Sequence, residues 1–267
     1  MSAISRRTLV EAMMAAGVMV SAPVWAIENP FQRPKKWNKT VDVLVIGAGG
    51  AGLTAAIAAK EAGVKNVLIV EKMSFPGGNT VRAGGGFNAA VKEDSERAGI
   101  KDSPELHARQ TLTAGDYRGQ PDIVKTLTAE APKSVQWLKD HGVKFQDRIY
   151  QIYGGLYPRA RNPLGPRGSA YIQVLSGVCE KEGIPIQTET KVEAIIREKP
   201  FAGRILGVKV KTEDGIQYIR ARTGVIVCAG GFAANVKLCG LHDPRLEKLG
   251  TTNHPGATGE VLHEMID

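Results

Sequence analysis

Gly47, Gly49 and Gly52 fall in the spacing G-x-G-x-x-G, and Glu71 follows 24 residues after Gly47. Residues of these types at this spacing are suited to holding a dinucleotide. The first glycine permits a tight turn and the second lets the backbone approach a pyrophosphate. The third lets a helix pack close to its strand. Gly50 leads into that helix and Ala51 opens it, so its unpaired N-terminal amides and dipole point at the anion. A carboxylate at the end of the next strand then accepts hydrogen bonds from a ribose. Glutamate there suits a free hydroxyl pair and repels a 2′-phosphate, which excludes NADP and leaves NAD or FAD.

The elements that must position these residues are written around them. Residues 41–46, VDVLVI, carry five apolar side chains, four of them Val or Ile, the pattern of a buried parallel strand. Residues 51–62 are rich in alanine and predict a helix, and 67–70 predict a second strand. The segment beginning at Glu71 separates the two nucleotides. The stretch EKMSFPGGNTVRAGGGFNAA (71–90) has glycine clusters at Gly77–Gly78 and Gly84–Gly86, with Asn79 and Thr80 between them. An NAD domain would proceed to another strand and helix. Backbone this open, beside small polar side chains, suits close passage along a longer cofactor; the alternative is a flexible surface loop.

Further along, residues 104–114 and 122–141 read as helices, the second with Ile123, Leu127, Val135 and Leu138 as core positions and a kink at Pro132. Residues 154–170 form a loop dense in Gly, Pro and Arg. Its Arg159, Arg161 and Arg167 are either carboxylate clamps or part of a solvated basic loop. A helix over 169–182 leads to a strand over 184–187. Residues 191–198, 204–212 and 216–222 alternate apolar with polar, and Glu213-Asp214-Gly215 is a hairpin turn, so they predict an antiparallel meander. Residues 224–232, GVIVCAGGF, predict one more buried strand that returns to the parallel sheet.

The chain of 267 residues is long enough for one large domain or two small ones, and its net charge of +8 comes from scattered basic residues. No Lys/Arg run is interleaved with aromatics, which argues against a nucleic-acid partner; a basic surface that attracts carboxylates is the simpler account. Cys179, Cys228 and Cys239 show no metal spacing and C-x-x-C-H is absent, so no metal site, c-type haem or disulfide is expected. No triad or paired carboxylates are apparent. Ser5 to Val10, SRRTLV, precedes an apolar stretch from Ala12 to Ala26 that is too short to span a membrane. Twin arginines before such a stretch indicate twin-arginine export to the periplasm, the route for proteins that fold around a cofactor first. The expected organisation is a signal peptide at 1–26, a linker at 27–40 and a nucleotide-binding domain at 41–267.

GAGGAGLTAA, EKMSFPGGNT and AGGGFNAA together resemble the flavoprotein subunits of the fumarate reductase and succinate dehydrogenase superfamily, in particular its flavocytochrome c branch. The resemblance runs from about Asp42 to the C-terminus. It implies an α/β fold: a Rossmann-like FAD-binding domain with a parallel sheet and an inserted antiparallel meander, truncated at the C-terminus relative to the family. By resemblance Glu71 and Lys72 lie at the adenosine end, and Gly78, Asn79 and Thr80 lie along the diphosphate and ribityl. Gly84, Gly85 and Gly86 would lie along the flavin ring, Val192 would contact the adenine end, and Ala229 and Gly230 would pass near the dinucleotide. TTNHPGATGEV (251–261) resembles the family's T-N-x-x-x-T-G-D-G segment, with Glu260 in place of the cofactor-binding Asp. Glu260 is otherwise a helix-capping acid, and His254 is read as a turn histidine. The family's covalent form uses a His after the second strand, and none lies between Glu71 and Asn88, so the FAD is expected to be non-covalent.

The activity implied is reduction of the C=C bond of an unsaturated carboxylate in anaerobic respiration. A separate cytochrome c or quinol-linked partner would deliver the electrons. The alternatives are a ketosteroid dehydrogenase- or aspartate oxidase-like enzyme, or a non-catalytic FAD-binding fragment. No catalytic residue can be assigned, because the family's proton-delivering arginine and capping domain are expected beyond residue 267. The chain alone is therefore expected to turn over no substrate.

Overall fold

The computed structural model describes residues 33–199 and 202–266. The expected signal peptide lies outside them. Residues 37 and 38 already fasten to the sheet: Asn38 exchanges hydrogen bonds with Tyr218 through its amide (2.9 Å) and its Oδ1 (2.8 Å).

In chain order the elements are β1 (Lys39–Ile46), α1 (Gly50–Glu61), β2 (Val67–Val70), a 3-10 turn (Gly78–Arg82), β3 (Phe87–Asn88), α2 (Lys92–Arg97), α3 (Pro104–Ala114) and α4 (Pro121–Asp140). Next come β4 (Ala160–Arg161), α5 (Gly168–Lys181), β5 (Ile186–Gln187), β6 (Lys191–Lys199), β7 (Ala202–Thr212) and β8 (Gly215–Val227). A second 3-10 turn (Pro244–Lys248) separates α6 (Val236–His242) from α7 (Glu260–Ile266). The main sheet has the order β5-β2-β1-β8-β7-β6. β1 pairs in parallel with β2 on one side and β8 on the other.

A strand buried on both faces is apolar at consecutive positions, and β1 shows why. Val43 and Val45 enter one core with Leu53 and Ile57 of α1, Leu175 and Cys179 of α5, and Ile69 of β2. Leu44 and Ile46 enter a second core with Val192, Ile195, Val208, Val210 and Ile219. The two cores cover opposite faces of the sheet, as parallel strands require.

The expected meander is joined to the parallel sheet more closely than the sequence indicates. Residues 216–222 and 224–232, read as two strands, give one strand of 13 residues, β8, which ends at Val227 and is only half-buried over 224–227. Its first half pairs antiparallel with β7, from Thr212↔Gly215 to Gly207↔Arg220. From Ile219 onward its other edge pairs in parallel with β1, from Lys39↔Ile219 to Ile46↔Val227. A register shift between Val41 and Val43 interrupts this ladder, and Arg222 Nε donates there to Asp42 Oδ1 at 2.9 Å.

Two further expectations are corrected. Val135 and Leu138 are buried in α4, but Ile123 and Leu127 are 64% and 61% exposed, and Thr128 and Ala131 take the inner face instead. Periodicity finds a helix face; it does not say how many turns of that face the fold covers. The loop at 154–170 contains β4, which pairs with β3 (Phe87↔Arg161, Asn88↔Ala160). This small ribbon draws the loop's arginines inward.

Candidate dinucleotide site

The site lies where β1 ends. Gly47 has φ +100°, a conformation favouring glycine, and a side chain there would press on the Cys228 carbonyl. A side chain at Gly52 would run into the Gly47 carbonyl, so this glycine sets the spacing of helix and strand. Gly49 differs: a Cβ there would meet only the Gly77 oxygen, at 3.7 Å. That opening beside the N-terminus of α1 is the cradle an anion needs, because the first-turn amides have no helical partners. Thr80 Oγ1 accepts one of them, from Gly50, at 3.1 Å.

β2 delivers Glu71 to the same edge. Its side chain is 8% exposed, with Oε2 accepting from the Ala48 amide at 2.8 Å and Oε1 from the Met73 amide at 3.0 Å. Two backbone donors fix both oxygens in position while leaving lone pairs on each. Lys72 turns toward the segment before α7, donating to Thr258 Oγ1 at 2.6 Å and to Glu260 Oε2 at 2.9 Å. Lys191 Nζ lies 3.5 Å from Glu260 Oε1. Partial burial pushes the Glu260 carboxyl up, but hydrogen bonds from Thr258 and Lys72 outweigh it and hold it at about 2. Glu260 is therefore an ion-paired tie between β2, β6 and α7, more than a cap.

These residues surround one groove. Its walls include Gly47, Gly49, Gly50, Ala51, Glu71, Lys72, Gly78, Asn79, Thr80, Val192, Ala229, Gly230 and Glu260, as the sequence suggested. Gly52 stands behind the turn, in keeping with its packing role. Gly84, Gly85 and Gly86 are outside the groove wall. Tyr171 Oη donates to the Gly85 carbonyl at 2.8 Å, Tyr150 lies behind Gly86, and Gly84 has nothing within 4 Å of where a side chain would begin.

Sequence reasoning missed Thr190, Lys191, Gly256, Ala257 and His254, which also line the groove. His254 begins the expected turn, its carbonyl accepting from the Ala257 amide at 2.9 Å, and the residue is buried, at 5% exposed. The tight N-H-P-G spacing, which folds the chain back on itself, was the available signal.

The arginines of the 154–170 loop play other parts. Arg159 forks onto Asp102 through Nε (2.9 Å) and Nη2 (2.8 Å), and Nη2 also donates to Gln110 at 2.7 Å. Arg161 is 2% exposed, with Nη2 3.5 Å from Asp94. Both are buried, whereas Arg167, just before α5, is exposed. The three cysteines are free thiols, and burial pushes Cys179 up to about 11. Among the described residues no cluster of His, Cys, Asp or Glu could hold a metal, and no helix is long and apolar enough to cross a membrane.

Comparison with known proteins places the groove in context. Residues 42–265 match the family described as FAD binding domain. The chain is 36% identical over 273 residues to the acrylate reductase flavoprotein subunit of Shewanella woodyi, covering 98% of this chain and 53% of that protein. It is 35% identical to the fumarate reductase (cytochrome) of Shewanella frigidimarina, over 84% of this chain and 39% of that one. Among solved structures it resembles the open conformation of a flavocytochrome c3 fumarate reductase, with a TM-score of 0.80 and 25% identity over 97% of this chain and 42% of that chain. The chain thus spans about half, or less, of the length of these relatives.

Proposed function

Because the chain belongs to the FAD binding domain family, we propose that it is the FAD-holding part of a periplasmic reductase that acts on the C=C bond of an unsaturated carboxylate. The observation that carries this is the groove: a glycine turn, a helix N-terminus and a buried carboxylate arranged along one wall, in a chain 36% and 35% identical to an acrylate and a fumarate reductase.

The residues present fit FAD. The opening at Gly49 and the first-turn amides of α1 would take the diphosphate, and Glu71 would accept from the adenosine ribose. Thr190 to Val192 would face the adenine end, and Asn79 would reach the diphosphate and ribityl. Of the three glycines expected along the ring system only Gly84 is open, with nothing within 4 Å of where a side chain would begin. Bound FAD would supply hydride to the double bond. The chain's own part is to hold, orient and shield. No His lies between Glu71 and Asn88, which supports non-covalent binding. No described residue is assigned to proton delivery or to the substrate carboxylate; those tasks are to be sought in the part of the relatives this chain does not cover. A cytochrome c or quinol-linked donor would supply the electrons.

The test is anaerobic. The product of the whole reading frame, loaded with FAD and reduced, is mixed with fumarate or acrylate. Saturable reoxidation above the rate of free flavin supports the proposal. Reoxidation by dyes and oxygen alone contradicts it, and that weaker behaviour is expected of the 267-residue chain by itself.

A further inference from the structure

His254 is a groove residue that the sequence motifs do not absorb. Its Nδ1 accepts a hydrogen bond from the Gly256 amide at 3.1 Å. A ring nitrogen that accepts from a backbone N–H carries no proton of its own, so in the neutral imidazole the proton sits on Nε2. Among the described residues Nε2 has no hydrogen-bond partner and is not fully buried, and His254 is one of the residues that line the groove. Phe75 packs edge-on against the ring, with centroids 6.0 Å apart and planes at 80°, which restrains its orientation. The tautomer and the orientation are therefore both set before any ligand arrives.

The backbone of the same residue points to the same ligand. The His254 amide donates to Asn79 Oδ1 at 2.6 Å, which leaves the Asn79 side-chain NH2 free to turn to the groove. Asn79 belongs to the 3-10 turn whose Thr80 hydroxyl binds the Gly50 amide at the start of α1. His254 is thus tied through two adjacent residues, Asn79 and Thr80, to the end of the helix where an anion is favoured.

We propose that His254 is a cofactor-contacting residue whose Nε2–H donates a hydrogen bond to an oxygen of the dinucleotide's diphosphate, while its amide holds Asn79 toward the same group. This rests on the assignment of the groove to FAD.

Two variants separate contact from simple support of the turn. His254→Asn keeps an acceptor near the Nδ1 position for the Gly256 amide but has nothing at Nε2. His254→Gln places an amide N–H near Nε2 but gives up the Nδ1 position. Affinity is read by quenching of flavin fluorescence on titration of apoprotein, with ADP as a second ligand and thermal unfolding of each apoprotein as the control for folding.

We expect His254→Asn to weaken FAD and ADP binding roughly 10- to 100-fold, the worth of a hydrogen bond to a charged acceptor. We expect His254→Gln to stay within about threefold of the unmutated protein for both ligands. The opposite ranking, or no change in either variant, would overturn the proposal in favour of a turn-supporting role. Loss of FAD affinity with ADP unaffected would overturn the diphosphate assignment. Failure of the unmutated protein to take up FAD is seen before any variant is made; it overturns the FAD assignment and this inference with it.

Discussion

Replacing Glu71 by Ala should have two separable costs, because its carboxylate has two sets of partners. In the apoprotein Oε2 takes the Ala48 amide at 2.8 Å, and Ala48 is fully buried. Removing the acceptor leaves that N–H without a partner, at about 1–3 kcal/mol of folding stability. In the proposed complex with FAD the carboxylate would also accept from the ribose, and a hydrogen bond to a charged group is worth about 1.5–3 kcal/mol. At tenfold per 1.4 kcal/mol, FAD should bind roughly 10- to 150-fold more weakly. Glu71→Gln divides the two: its amide oxygen can still accept from Ala48 while its NH2 faces the Met73 amide, so stability should return in part, but the lost charge should keep FAD weak. Urea unfolding of the apoproteins measures the first cost and fluorescence titration with FAD the second. An alanine variant that binds FAD as well as the parent would refute the role given to the carboxylate. A glutamine variant as unstable as the alanine variant would refute the account of the Ala48 bond.

Three other outcomes are expected. Asp102 has no exposed side-chain surface, so Arg159→Met should strand its charge and lower stability by about 3–5 kcal/mol in denaturant unfolding, while Arg159→Met with Asp102→Leu recovers most of it; a loss below about 1 kcal/mol in the single variant would contradict this. The Glu260 carboxyl, held at about 2 from an ordinary value of 4.5, adds stability that is present above pH 4.5 and lost as pH falls through 2. The stability gap between the parent and Glu260→Gln should therefore narrow over that window, and a gap independent of pH would show that the tie to Lys72 carries no charge. Replacing Arg6 and Arg7 by Lys should leave full-length precursor in the cytoplasm; unchanged delivery to the periplasm would mean another export route.

The nucleotide half of the fold was legible because its causes are local. Strand, glycine turn, helix, strand and acid occupy residues 41 to 71, and each is dictated by near neighbours: Gly47 by its φ, Gly52 by the Gly47 carbonyl. The features that escaped sequence reading depend on distant partners. The joining of 216–222 to 224–227 needs β1 alongside, and no alternation within either stretch announces it. Arg159 reads as a surface clamp until Asp102, 57 residues away, is folded against it. His254 reads as a turn residue until Asn79, 175 residues away, accepts its amide. Ile123 and Leu127 show the reverse case, a correct periodicity on turns that the fold leaves exposed.

The claim on which the rest depends is that the groove between Gly49, Glu71 and Glu260 takes FAD. The direct measurement is to purify the protein, reconstitute it with FAD, remove unbound ligand and record the absorbance spectrum and the mass of what denaturation in acid releases. The account predicts a flavin spectrum, release of intact FAD from the acid precipitate, and retention that falls in Glu71→Ala. A protein with no flavin absorbance after reconstitution that nevertheless binds NADH would contradict it.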